Sequence, residues 1–276
     1  MCRHLAYVGP EEPLGTLLVE PPHALYRQSW APRRQRHGTV NADGFGVGWY
    51  ADGDPVPARY RRAGPIWADL SFADLARVVR STALLAAVRD ATLSGADAEA
   101  AAAPFAAGPW LFSHNGAVKG WPDSLAPLVP TLPAVDLLSM EARNDSALVW
   151  ALVLARLRGG DTSEPQGRSA IQDEGQALAD TVLEVAEAAP GSRLNLLLTN
   201  GETITATAWG DTLWYLVRPG GGTVVASEPY DDDPHWQEVP DRTLLAASGT
   251  DVLLTPLKDP SDALPPAPAR PREPST

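Results

Sequence analysis

Short apolar runs broken by turn residues fill the two ends of the chain, and helical spacing is confined to its middle. Leu5-Ala6-Tyr7-Val8 reads as a buried strand stopped by Gly9-Pro10. Residues 11–36 are rich in Pro and Arg and keep no sustained period, which predicts a long ordered loop. Over residues 44–51 glycine alternates with large apolar groups, a pattern suited to a strand that another backbone or a ligand approaches closely. Asp52-Gly53-Asp54-Pro55 turns the chain, and residues 58–62 return as a hairpin partner. A helix is predicted over 72–80, with Leu75, Val78 and Val79 on its buried face, followed by a strand over 84–92. The alanine-rich residues 94–109 read as a loop crossing the surface, and 110–114 as another buried strand.

Asn144 or Asp145 is placed to cap a helix running to Arg158, whose residues are almost wholly apolar and therefore internal. Polar, Gly-rich residues 159–172 predict a disordered or mobile loop. A second helix over 173–188 has Leu178, Val182, Leu183 and Val185 as its buried side. Strands follow over 194–199 and 203–209, joined through Asn200-Gly201-Glu202, and again over 213–217, 224–227 and 252–257. The residues from 259 onward carry six prolines and no apolar period, the composition of a disordered tail. Strands, then helices, then strands predict an α+β layout of two sheets with helices outside them, rather than a parallel α/β fold.

A chain of 276 residues with 44% hydrophobic content can bury a full core. The net charge of −12 argues against nucleic acid as a partner. A single cysteine excludes an internal disulfide framework and a Cys-rich zinc site. The five histidines show no HxH or HExxH spacing, so neither metal nor cofactor is expected. No apolar segment of useful length follows Arg3-His4, so no signal peptide is read, and the longest apolar run, 147–155, is too short to span a bilayer. The expectation is a soluble cytoplasmic protein.

That one cysteine directly follows Met1. Removal of Met1 puts a thiol and an α-amine on one residue, and an amine with a pKa of about 7.7–8 can accept a proton near neutrality. A thiol carrying its own base is an activated nucleophile. By position alone, a small hydrophobe near a frayed end is the alternative.

Four further segments decide between these readings: Asn41-Ala-Asp-Gly-Phe-Gly-Val-Gly-Trp-Tyr50, Val88-Arg-Asp-Ala-Thr92, Ser113-His-Asn-Gly-Ala117 and Asn144-Asp-Ser146. With Cys2, and in this order, they resemble the class II glutamine amidotransferases, which are N-terminal-nucleophile hydrolases. Cys-Arg-His-Leu at residues 2–5, Thr207–Leu213 and Ala226–Asp233 look like that family's free-standing, ergothioneine-pathway amidohydrolase branch. The resemblance covers roughly residues 2–257 and leaves the 159–172 loop and the 258–276 tail outside it.

The resemblance implies a four-layer αββα sandwich of two mainly antiparallel sheets between helices. It implies Cys2 as nucleophile, with its α-amine as base, and Asn115 and Gly116 as oxyanion donors. Arg89 is then the residue that binds the substrate α-carboxylate, Thr92 lies beside that pocket, and Asp145 holds the α-ammonium; a plain N-cap is the other reading of Asp145. Residues 41–48 are assigned close-packed backbone beside the nucleophile. The implied substrate is a small γ-glutamyl amide, with other enzymes of the pathway met only through shared metabolites. Its leaving portion carries a trimethylammonium group, for which Trp30, Trp49, Trp121 and the 230–233 segment are candidate seats.

Two departures stand out: Arg3-His4 replaces the Gly-Ile common after the family cysteine, and an Ala-rich run around 100–105 replaces a histidine-containing segment. The chain has no room for a synthase domain, which favours hydrolysis over ammonia transfer; a glutaminase subunit serving a separate synthase, or a silent binding module retaining Met1, are the alternatives.

Overall fold

The computed structural model describes residues 2–91, 98–159 and 169–258. Its strands are β1 (Cys2–Pro13), β2 (Phe45–Trp49), β3 (Ala58–Arg62), β4 (Arg80–Arg89), β5 (Phe105–Ala107), β6 (Trp110–Ala117), β7 (Arg193–Thr199), β8 (Ile204–Ala208), β9 (Trp214–Val217), β10 (Thr223–Ala226), β11 (Gln237–Glu238), β12 (Thr243–Ala247) and β13 (Val252–Pro256). Its helices are α1 (Gly15–Leu18), α2 (Leu25–Gln28), α3 (Phe72–Val78), α4 (Ala134–Leu138), α5 (Asp145–Gly159) and α6 (Ala170–Ala188). One sheet has seven strands in the order β11-β9-β10-β1-β4-β2-β3, the other six in the order β13-β12-β8-β7-β6-β5. The α+β, two-sheet expectation holds.

Side-chain alternation sorts each strand between two environments. Along β1, Ala6 and Val8 join Leu85 of β4, Leu111 of β6, Leu197 of β7 and Val225 of β10 in an apolar layer between the sheets. The intervening Leu5 and Tyr7 face the other way, into a cluster with Leu14, Leu17, Leu18, Leu25 and Phe72 from α1 to α3 and the turns beside them. A third cluster packs α5 and α6 on the outer face of the six-stranded sheet through Phe112, Leu194, Leu196 and Leu198. Helix, sheet, sheet and helix therefore stack in four layers. Every residue of α5 from Ala147 to Leu154 is buried, as its apolar sequence requires.

Several local expectations are corrected. Within 11–36, β1 continues to Pro13, and α1 and α2 follow, because Leu14, Leu17, Leu18 and Leu25 recur at helical spacing on the sheet. The Pro and Arg residues between them obscure that period. The packed face of α3 is centred on Phe72 and Ala76, four apart, with the predicted Leu75 and Val79 half-buried against the same cluster, whereas Val78 at the helix end is 59% exposed. Residues 98–109 do not cross the surface: Ala102 and Phe105 are buried and β5 pairs with β6. Residues 170–172 form the first turn of α6, held by a Ser169–Gln172 capping box. The rest of the predicted loop, 160–168, and the tail from 259 lie outside the described residues, while β11 and β12 are additional to the predicted strands.

Candidate active site

β1 and β4 pair antiparallel with Cys2 directly opposite Arg89. Directly opposed residues of such a pair project to the same face, with Cβ atoms about 4.5–5.5 Å apart. That face is the inter-sheet one, since Cys2 has the parity of Ala6 and Val8, and Arg89 that of Leu85. On the opposing sheet, Ser113 and Asn115 share the parity of Leu111, so they point back at β1. His4 Nδ1 lies 3.1 Å from Ser113 Oγ, and Cys2 N donates to Asn115 Oδ1 at 3.3 Å. His114 has the opposite parity and meets α5, its Nδ1 3.0 Å from Ser146 Oγ and its Nε2 2.9 Å from the Arg193 carbonyl. Two strands at period two thus bring residues 113 positions apart into contact.

Asn115 is fully buried. Its Nδ2 donates to Ser227 Oγ at 3.2 Å, which uses one of the two amide hydrogens. Gly116 follows where no larger residue fits, because an added Cβ would run into the Arg193 carbonyl and come within 2.6 Å of His114 Nε2. The glycine pattern of β2 has a similar origin. A Cβ at Gly46 would meet the Ala103 carbonyl, so the close approach predicted for 44–51 is made by the backbone entering β5.

The helix cap and the acid separate cleanly. Asn144 Oδ1 accepts the Ala147 N–H at 2.8 Å, the N-cap bond of α5, while Asp145 Oδ2 accepts the Val118 N–H at 2.9 Å. The Asp145 carboxylate is half-buried and, among the described residues, has no basic partner within ion-pair distance. Arg89 is half-buried too. Its Nη1 donates to the Asp43 carbonyl at 3.2 Å, and among the described residues no carboxylate pairs with it.

Burial pushes the Cys2 thiol up; the Asp90 backbone N–H and the Arg89 charge oppose this, and the Asp145 charge adds to it. Arg89 and Asp145 therefore both lie within electrostatic reach of the sulfur. A resting thiol raised in this way stays protonated near neutrality and needs a base. His4 cannot serve: burial, with His114 and Arg3 beside it, pushes its imidazole down to about 3.

The Arg3-His4 departure has a structural basis. His4 fills the inter-sheet face, and Arg3, only 1% exposed, takes the opposite one, its Nε donating to Gln35 Oε1 at 3.2 Å. Gln35 Oε1 also accepts from Asn41 Nδ2 at 3.0 Å. Glu228, fully buried, accepts the backbone N–H groups of Arg33 at 2.9 Å and Arg34 at 2.6 Å. Residues 33–41 are thereby strapped to the strand carrying the cysteine. Sequence reasoning missed Ser227, Glu228, Gln35 and Asp43 as contributors; Ser227 and Glu228 stand inside the 226–233 run that carried part of the resemblance, which was the available signal.

Of the predicted site residues, Cys2, Arg89, Asn115, Gly116 and Asp145 converge, and Thr92 lies outside the described residues. The candidate cation seats do not share one place. Trp30 is edge-on to Tyr26 and Trp67, Trp49 packs on the α1–α3 side of its sheet, and Trp121 packs with the α5–α6 cluster. Tyr230, Asp231 and Asp233 line a cavity of about 600 Å³ with Tyr7, on the face of β1 turned away from the sulfur.

A cysteine at residue 2 of a central strand, facing a buried asparagine across two stacked antiparallel sheets, defines the N-terminal-nucleophile hydrolase layout. Residues 23–221 match the family model of the class II glutamine amidotransferases, and the chain belongs to that family of enzymes. Among its relatives, the γ-glutamyl-hercynylcysteine sulfoxide hydrolase of Mycolicibacterium smegmatis is 44% identical over 257 residues, covering 93% of this chain and 100% of the relative. The hydrolase of the same name from Mycobacterium tuberculosis is 42% identical, covering 93% of this chain and 97% of its own. The fold is shared with a glutamine aminotransferase class-II domain protein from Silicibacter pomeroyi (TM-score 0.63, 22% identity, 93% of this chain and 100% of that one). It is also shared with the allosteric regulatory enzyme of purine biosynthesis (TM-score 0.62, 13% identity, 93% of this chain and 49% of that one). Among the described residues no helix is long and apolar enough to cross a membrane.

Proposed function

We propose that the chain hydrolyses the γ-glutamyl amide of γ-glutamyl-hercynylcysteine sulfoxide, releasing glutamate and hercynylcysteine sulfoxide in ergothioneine biosynthesis. The observation that carries the reading is the pair of half-buried, opposite charges, Arg89 and Asp145, without counter-ions among the described residues and both within electrostatic reach of the Cys2 thiol. Such a pair suits the α-carboxylate and α-ammonium of one amino-acid end, with its γ-carbon delivered to the sulfur. A guanidinium can grip the carboxylate through two parallel bonds. The names of the relatives at 44% and 42% identity support the particular conjugate.

In the proposed chemistry, loss of Met1 frees the α-amine of Cys2, which takes the thiol proton as sulfur attacks the γ-carbonyl. The oxyanion that forms is stabilised by the second Nδ2 hydrogen of Asn115 and the Gly116 N–H. Collapse breaks the C–N bond, the α-ammonium returns its proton to the departing nitrogen, and a thioester remains. Water, deprotonated by the same amine, attacks the thioester and releases glutamate. Thr92 keeps its place beside the carboxylate pocket as part of this proposal. Residues 2–257 form the catalytic unit, working in the cytoplasm, where a lone thiol stays reduced. No nucleic acid takes part, and other pathway enzymes are met through shared metabolites.

The test combines intact mass spectrometry with product assays. Loss of Met1, glutamate release from the conjugate and no turnover by Cys2→Ala are expected. A retained Met1, or a Cys2→Ala variant as active as the parent, overturns the mechanism; efficient ammonia release from glutamine with no action on the conjugate overturns the substrate assignment.

A further inference from the structure

Ser227 follows β10 where that strand leaves its partner β1, and it is fully buried. Four hydrogen bonds fix it. Its N–H donates to the His4 carbonyl at 2.9 Å, its carbonyl accepts from Thr212 Oγ1 at 2.8 Å, and its Oγ accepts the His4 N–H at 3.0 Å. The fourth comes from outside that sheet, from Asn115 Nδ2 on β6 at 3.2 Å. The hydroxyl is thus tied to the nucleophile's own strand two residues after Cys2, and to the amide facing Cys2 across the sheets.

That amide is held at both ends. Oδ1 accepts from Cys2 N at 3.3 Å, one Nδ2 hydrogen goes to Ser227, and the other remains for an oxyanion. Side-chain amides have a broad terminal torsion, so a single contact does not set the plane. We propose that Ser227 is a positioning residue for the hydrolysis: its hydroxyl fixes the plane of Asn115 so that one amide hydrogen meets the developing oxyanion while Oδ1 stays on the α-amine. This rests on the reading of Asn115 given above. Ser227 itself touches neither substrate nor sulfur in this scheme.

The effect falls on the chemical step. A donor displaced by about 1 Å can cost on the order of 100-fold in rate, whereas the glutamyl end is gripped elsewhere, by Arg89 and Asp145. Ser227→Ala is expected to lower kcat roughly 10- to 100-fold with KM within about twofold. The amine responds as well. An acceptor at Oδ1 favours its protonated form, so a loosened Asn115 moves the acidic limb of the kcat/KM profile to lower pH. A loss of general stability would produce neither the split between kcat and KM nor that shift.

The experiment compares the parent, Ser227→Ala, Asn115→Ala and the double variant on the γ-glutamyl conjugate, with thermal melts run alongside. Ser227→Cys, close to the same volume with a weaker acceptor, replaces Ser227→Ala if the alanine variant does not fold, and the same direction is expected. If the proposal holds, the double variant is no slower than Asn115→Ala alone. A Ser227 variant with parental kcat and pH profile, or losses that multiply in the double variant, overturns the role of Ser227 and leaves Asn115 untouched. Parental kcat in Asn115→Ala instead removes the underlying oxyanion reading, and the two failures are thereby told apart.

Discussion

Replacing Arg89 by lysine tests the recognition site while keeping its charge. Arg89 stands opposite Cys2 in the β1–β4 register, and one of its five N–H donors is used at the Asp43 carbonyl, 3.2 Å away. The remaining donors form the fork that suits a carboxylate. A lysine at the same Cα supplies one ammonium that cannot bond Asp43 and span both carboxylate oxygens together. The loss is therefore about one charge-assisted hydrogen bond, roughly 1.5–3 kcal/mol, or about 10- to 150-fold in kcat/KM. Because the α-carboxylate lies remote from the γ-carbon, its contact is made equally in ground and transition states, and the loss should appear in KM with kcat nearly held. The assay is glutamate release over a range of conjugate concentrations, repeated with an analogue whose α-carboxylate is replaced by hydrogen. On the analogue the two proteins should become about equal, the parent having lost roughly 10- to 150-fold more than the variant. A kcat/KM within about twofold of the parent on the full conjugate, or equal further losses by both proteins on the analogue, refutes the assignment.

Asp145→Asn keeps an acceptor for the Val118 N–H but removes the charge, so KM should rise about tenfold or more with the melting temperature little changed; an unchanged KM would detach this carboxylate from the substrate ammonium. Gly116→Ala forces a methyl group against the Arg193 carbonyl and should destabilise the fold by about 1–3 kcal/mol, so a melting temperature equal to the parent's would show that the β6–β7 contact has slack. Burial holds His4 down to about 3, against about 6.5 when unfolded, so between those values the unfolded chain carries the extra proton and stability rises with pH. Urea unfolding of the parent and of His4→Gln over this window should differ in slope by up to about 1.4 kcal/mol per pH unit, parent steeper, with the contribution complete above about pH 6.5; parallel slopes would mean that His4 is protonated in the native state.

The readability of the chain followed the physics of each signal. Short continuous apolar runs at Leu5–Val8 and Trp110–Phe112 specified buried strands, and the longer apolar run of α5 specified a buried helix, because each pattern answers to one dominant contact. The short α1 and α2 were lost because four residues make only about one turn, too little for a repeat to show, and prolines crowd the gaps. Residues 98–109 were misread for the opposite reason: alanine carries little hydrophobic signal, yet its small size is what lets Ala102 sit fully buried beside β2. Cys2 stood out by position, as the lone cysteine directly after Met1, whereas Asn115 and Asp145 became candidates only through the family resemblance. Ser227 and Glu228 were not legible, since a buried hydroxyl or carboxylate gains its role only from partners more than 100 residues away, which no local pattern encodes.

The two residues after Cys2 explain why this end of β1 is held so firmly. With Gly-Ile in place of Arg3-His4, β1 could still pair with β4 and β10 and keep its backbone bonds to Asn115 and Ser227, but the side-chain ties to Gln35 and Ser113 would be lost. Here the strand is secured on both faces at successive residues. Arg3 reaches Gln35 on one side, His4 reaches Ser113 on the other, and the His4 backbone exchanges two bonds with Ser227. Strand ends fray unless they are held, and the bonds at residues 3 and 4 hold the start of β1. They also couple the sulfur to the strap over residues 33–41 that Glu228 fixes, so the residues that stabilise the terminus are the ones that shape the approach to it.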